Sequence, residues 1–159
     1  MRIGVLADTH ITIAAKKIPA HVLSLLEGVD MILHAGDILE LSALDDLEKI
    51  AKTEAVRGNM DYADVLSSLP AKRILEIGGF RIGLAHGWGP PQGLIERLSK
   101  EFGKVDCVVF GHTHVPTIEK VNETLFFNPG SPTDKVFAVC NSFGFLEIND
   151  EIKPEIVQL

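Results

Sequence analysis

Seven side chains stand out by chemical type and by position: Asp8, His10, Asp37, Asn59, His86, His112 and His114. Together they offer two carboxylates, four imidazoles and one amide oxygen. Mixed oxygen and nitrogen donors suit manganese, iron, zinc or nickel better than calcium or magnesium. Seven donors are too many for one small ion of this class, and enough for two ions if a carboxylate bridges them. Asp8-Thr9-His10 and His112-Thr113-His114 share a spacing of two, which in an extended segment sends both side chains to the same side. Gly36, Gly58, Gly87 and Gly111 stand beside these residues and let the backbone turn sharply there. A lone Asp-x-His or His-x-His pair is usually coincidence; the reading rests on five motifs in one chain.

Each motif follows an apolar run that reads as a strand. Ile3 to Ala7, Met31 to Leu33 and Glu54 to Arg57 alternate with helical patterns over Ala20 to Glu27 and Leu41 to Lys52, an order that implies parallel strands with crossover helices. Arg73 to Ile77 and Phe80 to Ala85 flank Gly78-Gly79 as a hairpin. A helix follows, with Pro91 in its first turn and Gly103 at its end. Cys107 to Phe110 reads as a buried strand. Short strands are expected over Thr117 to Val121, Leu125 to Phe127, Val136 to Cys140, Phe143 to Ile148 and Ile152 to Val157. This is α/β, with more strands than one small sheet needs: two stacked β-sheets flanked by helices, within a single domain spanning 1–159. In open α/β sheets ligands bind beyond the carboxyl ends of the strands, so five separate segments would deliver polar groups to one rim.

Bulk properties narrow the function. The formal charge of −7 argues against a broad basic surface for nucleic-acid backbones, so no tight nucleic-acid binding is expected. It does not exclude a phosphate substrate, because a bound cation reverses the local sign. No apolar run approaches the roughly 20 residues that span a bilayer. The first residues are interrupted too early by Asp8 for a signal peptide, so no membrane association and a cytoplasmic location are expected. Cys107 and Cys140 sit in apolar runs and read as core-packing thiols. Lys16, Lys17, Lys49, Lys52, Arg97, Lys100 and Lys104 read as solvated surface charge.

Asp8-x-His10, Gly36-Asp37, Gly58-Asn59, His86 and Gly111-His112-x-His114, in this order, resemble the calcineurin-like metallophosphoesterase superfamily. The short length and Asn128-Pro129-Gly130-Ser131 are similar to its small YfcE-like phosphodiesterase branch. The resemblance covers Met1 to about Ser131. It implies a four-layer αββα sandwich and a phosphodiesterase acting on a small phosphate ester through a hydroxide bridging two divalent ions. Manganese is the first expectation for those ions, with iron, nickel or zinc as alternatives. By position, Asp8, His10 and His114 would hold one ion, Asn59, His86 and His112 the other, and Asp37 would bridge them. Asp37, Asn59 and His86 are the catalytic residues on this reading.

The chain departs from the pattern where many relatives place a proton-donating histidine after the glycine-asparagine pair. Met60 stands there, followed by Asp61, and methionine donates no proton. Only 25 residues separate His86 from His112, which leaves no room for a large cap domain. An open site is therefore expected, with Trp88, Pro90 and Pro91 on its rim. His34 reads as a hydrogen-bonded core histidine or a support for the metal residues. Asp61 reads equally as such a support or as a solvated loop acid, and Asn128 to Ser131 equally as a turn or a brace for the rim. Alternatives to the phosphodiesterase are a phosphomonoesterase or nucleotidase with the same donors, a nuclease, and a non-catalytic scaffold of the kind represented by a retromer subunit that resembles this branch.

Overall fold

A computed structural model describes residues 1–11 and 17–159; Lys16 lies outside the described residues. Ten strands form two five-stranded sheets among them. The first sheet is built from β1 (Arg2–Leu6), β2 (Met31–His34) and β3 (Thr53–Ala55), all parallel, and is completed by β9 (Ser142–Ile148) and β10 (Ile152–Gln158) in the order β10-β9-β1-β2-β3. The second contains β4 (Lys72–Ile77), β5 (Phe80–Ala85), β6 (Cys107–Val109), β7 (Thr117–Val121) and β8 (Thr124–Asn128) in the order β4-β5-β6-β8-β7. Gly78-Gly79 closes the expected β4–β5 hairpin, with both glycines at positive φ.

Period-two alternation explains the layering. From β1, Ile3 and Val5, with Ala7 just beyond the strand, point into a core between the sheets; Leu6 points away, into a core beneath the helices. The same rule splits Phe127 from Phe126 in β8 and Leu146 from Phe145 in β9. Helices α1 (Ala20–Leu25), α2 (Asp45–Glu48) and α3 (Ala63–Ser68) cover the outer face of the first sheet through Val22, Leu47 and Val65. Helix α4 (Leu94–Phe102) covers the second sheet with Leu94, Leu98 and Phe102, spaced one turn apart. The order is helix, sheet, sheet, helix, as expected. No helix among the described residues is long and apolar enough to cross a membrane.

Several boundaries differ from the sequence reading. Leu41 to Lys52 is not one helix: a 3-10 turn, Leu41–Leu44, passes into the four-residue α2, which ends at Glu48. Pro91 precedes α4 rather than opening it, because Gly93 in the left-handed region (φ 72°) separates them. Val136 to Cys140 is no strand. Its run of apolar residues lies in an irregular loop that leaves Val136, Phe137 and Val139 more than 70% exposed. Cys107 is buried, as expected, but Cys140 sits half-buried in that loop and is not a core residue.

Candidate metal centre

The ladder of the first sheet continues past the ends of β1 and β2. Asp8 N donates to Gly36 O (3.0 Å), His10 N to Asp37 O (2.9 Å) and Ile11 N to Ile38 O (2.8 Å). These bonds lay Asp8 and His10 alongside Asp37. From the other sheet, Gly111 N donates to His86 O (3.1 Å), joining the segments after β5 and β6. His112 N donates to both carboxylate oxygens of Asp8 (3.2 and 3.0 Å), so a metal-ligand candidate of one sheet is anchored to the other.

The convergence does not come from an extended pleat, as the spacing of Asp8 and His10 suggested. Asp8, His10, Asp37, His112 and His114 all lie at positive φ, between 47° and 73°. Such left-handed residues cost about 1–3 kcal/mol each and persist where surrounding bonds over-determine them. Here those bonds are the ladder extension and the Asp8 contacts. Gly58 is required by proximity: a Cβ there would stand 2.1 Å from Asp37 Oδ1.

All seven expected residues meet. Asp8, His10 and His114 each bring a donor atom within 4.8 Å of the others, and so do Asp8, Asp37 and His86. Asn59 Oδ1 lies 3.1 Å from His86 Nε2 and 3.1 Å from His112 Nδ1. Asp37 Oδ2 lies 3.3 Å from His86 Nε2 and 3.7 Å from His10 Nε2, between the two groups. Asp8 also reaches across, with Oδ1 3.3 Å from His114 Nε2 and 3.9 Å from His86 Nε2.

Three imidazoles have their other nitrogen engaged outside the cluster. His86 Nδ1 donates to Ala35 O (2.9 Å), His112 Nε2 to Gly89 O (2.7 Å), and His114 Nδ1 to Asp134 Oδ2 (2.5 Å). An outward N–H leaves an inward lone pair, which is the tautomer a metal ligand needs. The inward lone pairs then face carboxylate oxygens, the Asn59 oxygen and one another; His10 Nε2 and His114 Nε2 are 3.4 Å apart. Lone pairs set against each other in this way call for protons or cations between them. The donor set therefore fits divalent metal.

The ionisation of these groups fits the same balance. His114 is raised to about 9, chiefly by its bond to Asp8, against the opposing effect of burial and with the help of Asp134. Burial disfavours charge on His86, but Asp37 and Asp8 outweigh it and raise its pKa. His10 is lowered because burial outweighs the pull of Asp37 and Asp8. Burial works to raise Asp37, yet His86 and the Met60 N–H hold it below the usual carboxylate range.

The residues around the donors resolve the alternatives left open by sequence. His34 is fully buried, bonded to Thr9 Oγ1 (3.0 Å) and Gly36 N (3.2 Å), and burial lowers it to about 3. Asp61 is a buried brace: its oxygens accept from Leu39 N (2.7 Å) and Gly58 N (2.6 Å). Asn128 and Ser131 brace the rim. Asn128 Nδ2 donates to Gly111 O (2.9 Å) and Thr113 Oγ1 (3.0 Å), and Ser131 Oγ donates to Asp8 O (2.7 Å). Met60 projects into solvent, while its N–H donates to Asp37 Oδ1 (2.8 Å). Trp88, Pro90 and Pro91 are exposed, as an open rim requires.

Sequence reasoning missed Asp134. Its carboxylate orients His114 and also accepts from Val136 N, Phe137 N and Ala138 N, at 2.8 to 3.0 Å. Burial would raise its pKa, but His114 and these N–H groups hold it at about 2. The available signal was an acid three residues after Ser131, at the end of a segment already tied to the motifs.

Comparison with known proteins follows the same lines. A model of the calcineurin-like phosphoesterase superfamily domain matches residues 1–151. A probable metallophosphoesterase of Methanocaldococcus jannaschii is 44% identical over 137 residues, covering 84% of this chain and 69% of that protein. A phosphodiesterase of the same organism is 28% identical over 142 residues, covering 82% and 83%. The crystal structure of Vps29 complexed with zinc, from Entamoeba histolytica, is 27% identical, covers 99% of each chain and superposes with a TM-score of 0.77.

Proposed function

This chain belongs to the calcineurin-like phosphoesterase superfamily, and from that premise we propose that it is a phosphodiesterase working with two divalent ions. Asp8, His10 and His114 would hold one ion and Asn59, His86 and His112 the other, with Asp37 shared. The observation that carries this reading is the set of inward-facing donors, with the N–H groups of His86, His112 and His114 bonded outward. When bound, such ions supply Lewis acidity toward phosphate oxygens and an activated water. The ligand set follows metal-site chemistry, with manganese first and iron, nickel or zinc as alternatives.

The protein's own groups divide the remaining work. Asp37 lies between both sets of donors, so its two oxygens are the natural shared contact; one already accepts from Met60 N. Ala35 O, Gly89 O and Asp134 fix ring orientation before any substrate arrives, which limits reorganisation during reaction. Among the described residues, neither of the two that follow Asn59 is placed to protonate the leaving oxygen. Met60 has no proton to give, and Asp61 is committed to two backbone N–H groups. The proposed enzyme therefore favours esters whose leaving groups depart without general-acid help, which is typically worth about 10²–10⁴ in rate.

The test is hydrolysis of bis-p-nitrophenyl phosphate against p-nitrophenyl phosphate, each with manganese, iron, nickel and zinc. Preference for the diester supports the proposal; preference for the monoester assigns the same centre to a phosphomonoesterase or nucleotidase. The likeness to Vps29 favours a second reading, a binding scaffold. Metal uptake without hydrolysis of either ester would select it.

A further inference from the structure

One cleft borders the donor cluster. It has a volume of about 390 Å³ and is lined by Asn59 and His86 from the centre together with Arg57, Lys72, Trp88 and Glu101. Its size is near the lower end of pockets that bury one small ligand, so it has room for a single nucleoside-sized group.

Trp88 is the chain's one tryptophan, and 44% of it is exposed at this cleft. An exposed indole beside a reacting centre offers a face on which a flat ring can stack. Its backbone is held without help from any ligand. Arg97 donates to Trp88 O through Nε (3.2 Å) and Nη2 (2.9 Å), and to Gln92 O through Nη1 (3.0 Å). One residue on, Gly89 O accepts from His112. The loop carrying the indole is thus tied both to α4 and to a proposed metal ligand.

Charged side chains also reach this mostly apolar cleft. Lys72 and Glu101 form an ion pair, and Arg57 uses Nη1 to bond Leu66 O. An aromatic face in a mostly apolar cleft that also holds charged hydrogen-bonding groups matches a flat heterocycle joined to a hydroxyl-bearing sugar. A plain alkyl group would leave the indole face without a stacking partner.

We propose that this cleft is the substituent subsite of the centre and that it takes a nucleoside, with the base stacked on Trp88. The assignment rests on the phosphodiesterase reading for its catalytic consequence, but not for binding itself. Base stacking on an aromatic is worth about 1–3 kcal/mol by alanine substitution, so removing the indole corresponds to about a tenfold loss or more.

Two measurements on the full chain test it. Thymidine 5′-(p-nitrophenyl phosphate) and methyl p-nitrophenyl phosphate release the same leaving group. Trp88→Ala is expected to lower the ratio of their kcat/KM values about tenfold, mainly through KM of the nucleoside ester, and Trp88→Phe to restore most of it. An unchanged ratio overturns the proposal. Hydrolysis of neither ester by the parent chain, with any of the four ions, would sink the phosphodiesterase reading alone. The subsite is then decided by Trp88 fluorescence, which reports on this cleft without background from other indoles. Saturable quenching by thymidine 5′-monophosphate, absent with methyl phosphate, supports it; no quenching, or equal quenching by both, refutes it.

Discussion

Asp134 Oδ2 lies 2.5 Å from His114 Nδ1, and the same carboxylate accepts three backbone N–H groups from the loop that follows it. One side chain thereby aims a proposed metal ligand and shapes the exposed loop beside it. Outer partners of this kind typically contribute about 10–100-fold to metal affinity or activity. Asp134→Asn is expected to weaken manganese binding within that range while the fold persists. Calorimetric titration with manganese measures it, and parental affinity in the variant would count against the role.

The metal-free protein should lose stability in mildly alkaline solution. The pKa of His114 is raised to about 9, above its ordinary value near 6.5, and that of His86 is raised as well. Groups raised on folding contribute stability that is fully present below their unfolded pKa and lost as pH climbs through the folded one. His10 and His34 are lowered, so their effects fall below pH 6.5, outside this window. The Tm of chelator-treated protein should therefore fall between about pH 6.5 and 9. Saturating manganese should flatten the slope, since bound metal displaces those protons. A level or rising Tm for the metal-free form would contradict the assignment.

Gly58 gives a purely steric test. A methyl group there would meet Asp37 Oδ1 at 2.1 Å and Asp37 N at 2.5 Å, so Asp37 must move. Gly58→Ala is expected to destabilise the chain by about 1–3 kcal/mol, as overpacking does, and to remove most hydrolysis. Denaturant unfolding and an ester assay read the two effects separately. Full activity in the variant would show that the position of Asp37 is not critical.

Met60→His tests the missing proton donor. The substitution is expected to speed hydrolysis of alkyl phosphodiesters more than nitrophenyl ones, because only the former need their leaving oxygen protonated. Steady-state rates on one ester of each kind decide it. An equal effect on both would place the limitation elsewhere.

Much of the site was legible because its residues belong to short motifs pinned to strand ends. Asp8, Asp37, Asn59, His86 and His112 could be placed on one rim once the apolar runs before them were read as strands. The braces were harder to see. Asp134 meets His114 from twenty positions further along the chain, in a loop with no periodicity, so only its place three residues after Ser131 marks it. Val136 to Cys140 is an unbroken apolar run, as a buried strand would be, yet Asp134 captures the N–H groups of 136 to 138 and bends the backbone away from any ladder. The six-residue α3 was not foreseen because it is too short to show a helical period: Val65 is its single buried residue. The left-handed backbone at five of the donors is also silent in sequence, since aspartate and histidine tolerate that region without requiring it.

The central claim is that Asp37 is shared by two ions. Anomalous scattering from crystals grown with manganese tests it directly, in the parent chain and in Asp37→Asn. Two peaks are expected in the parent, one beside Asp8, His10 and His114 and one beside Asn59, His86 and His112, with Asp37 in contact with both and both weakened in the variant. A single peak, or a pair that leaves Asp37 untouched, would contradict the account.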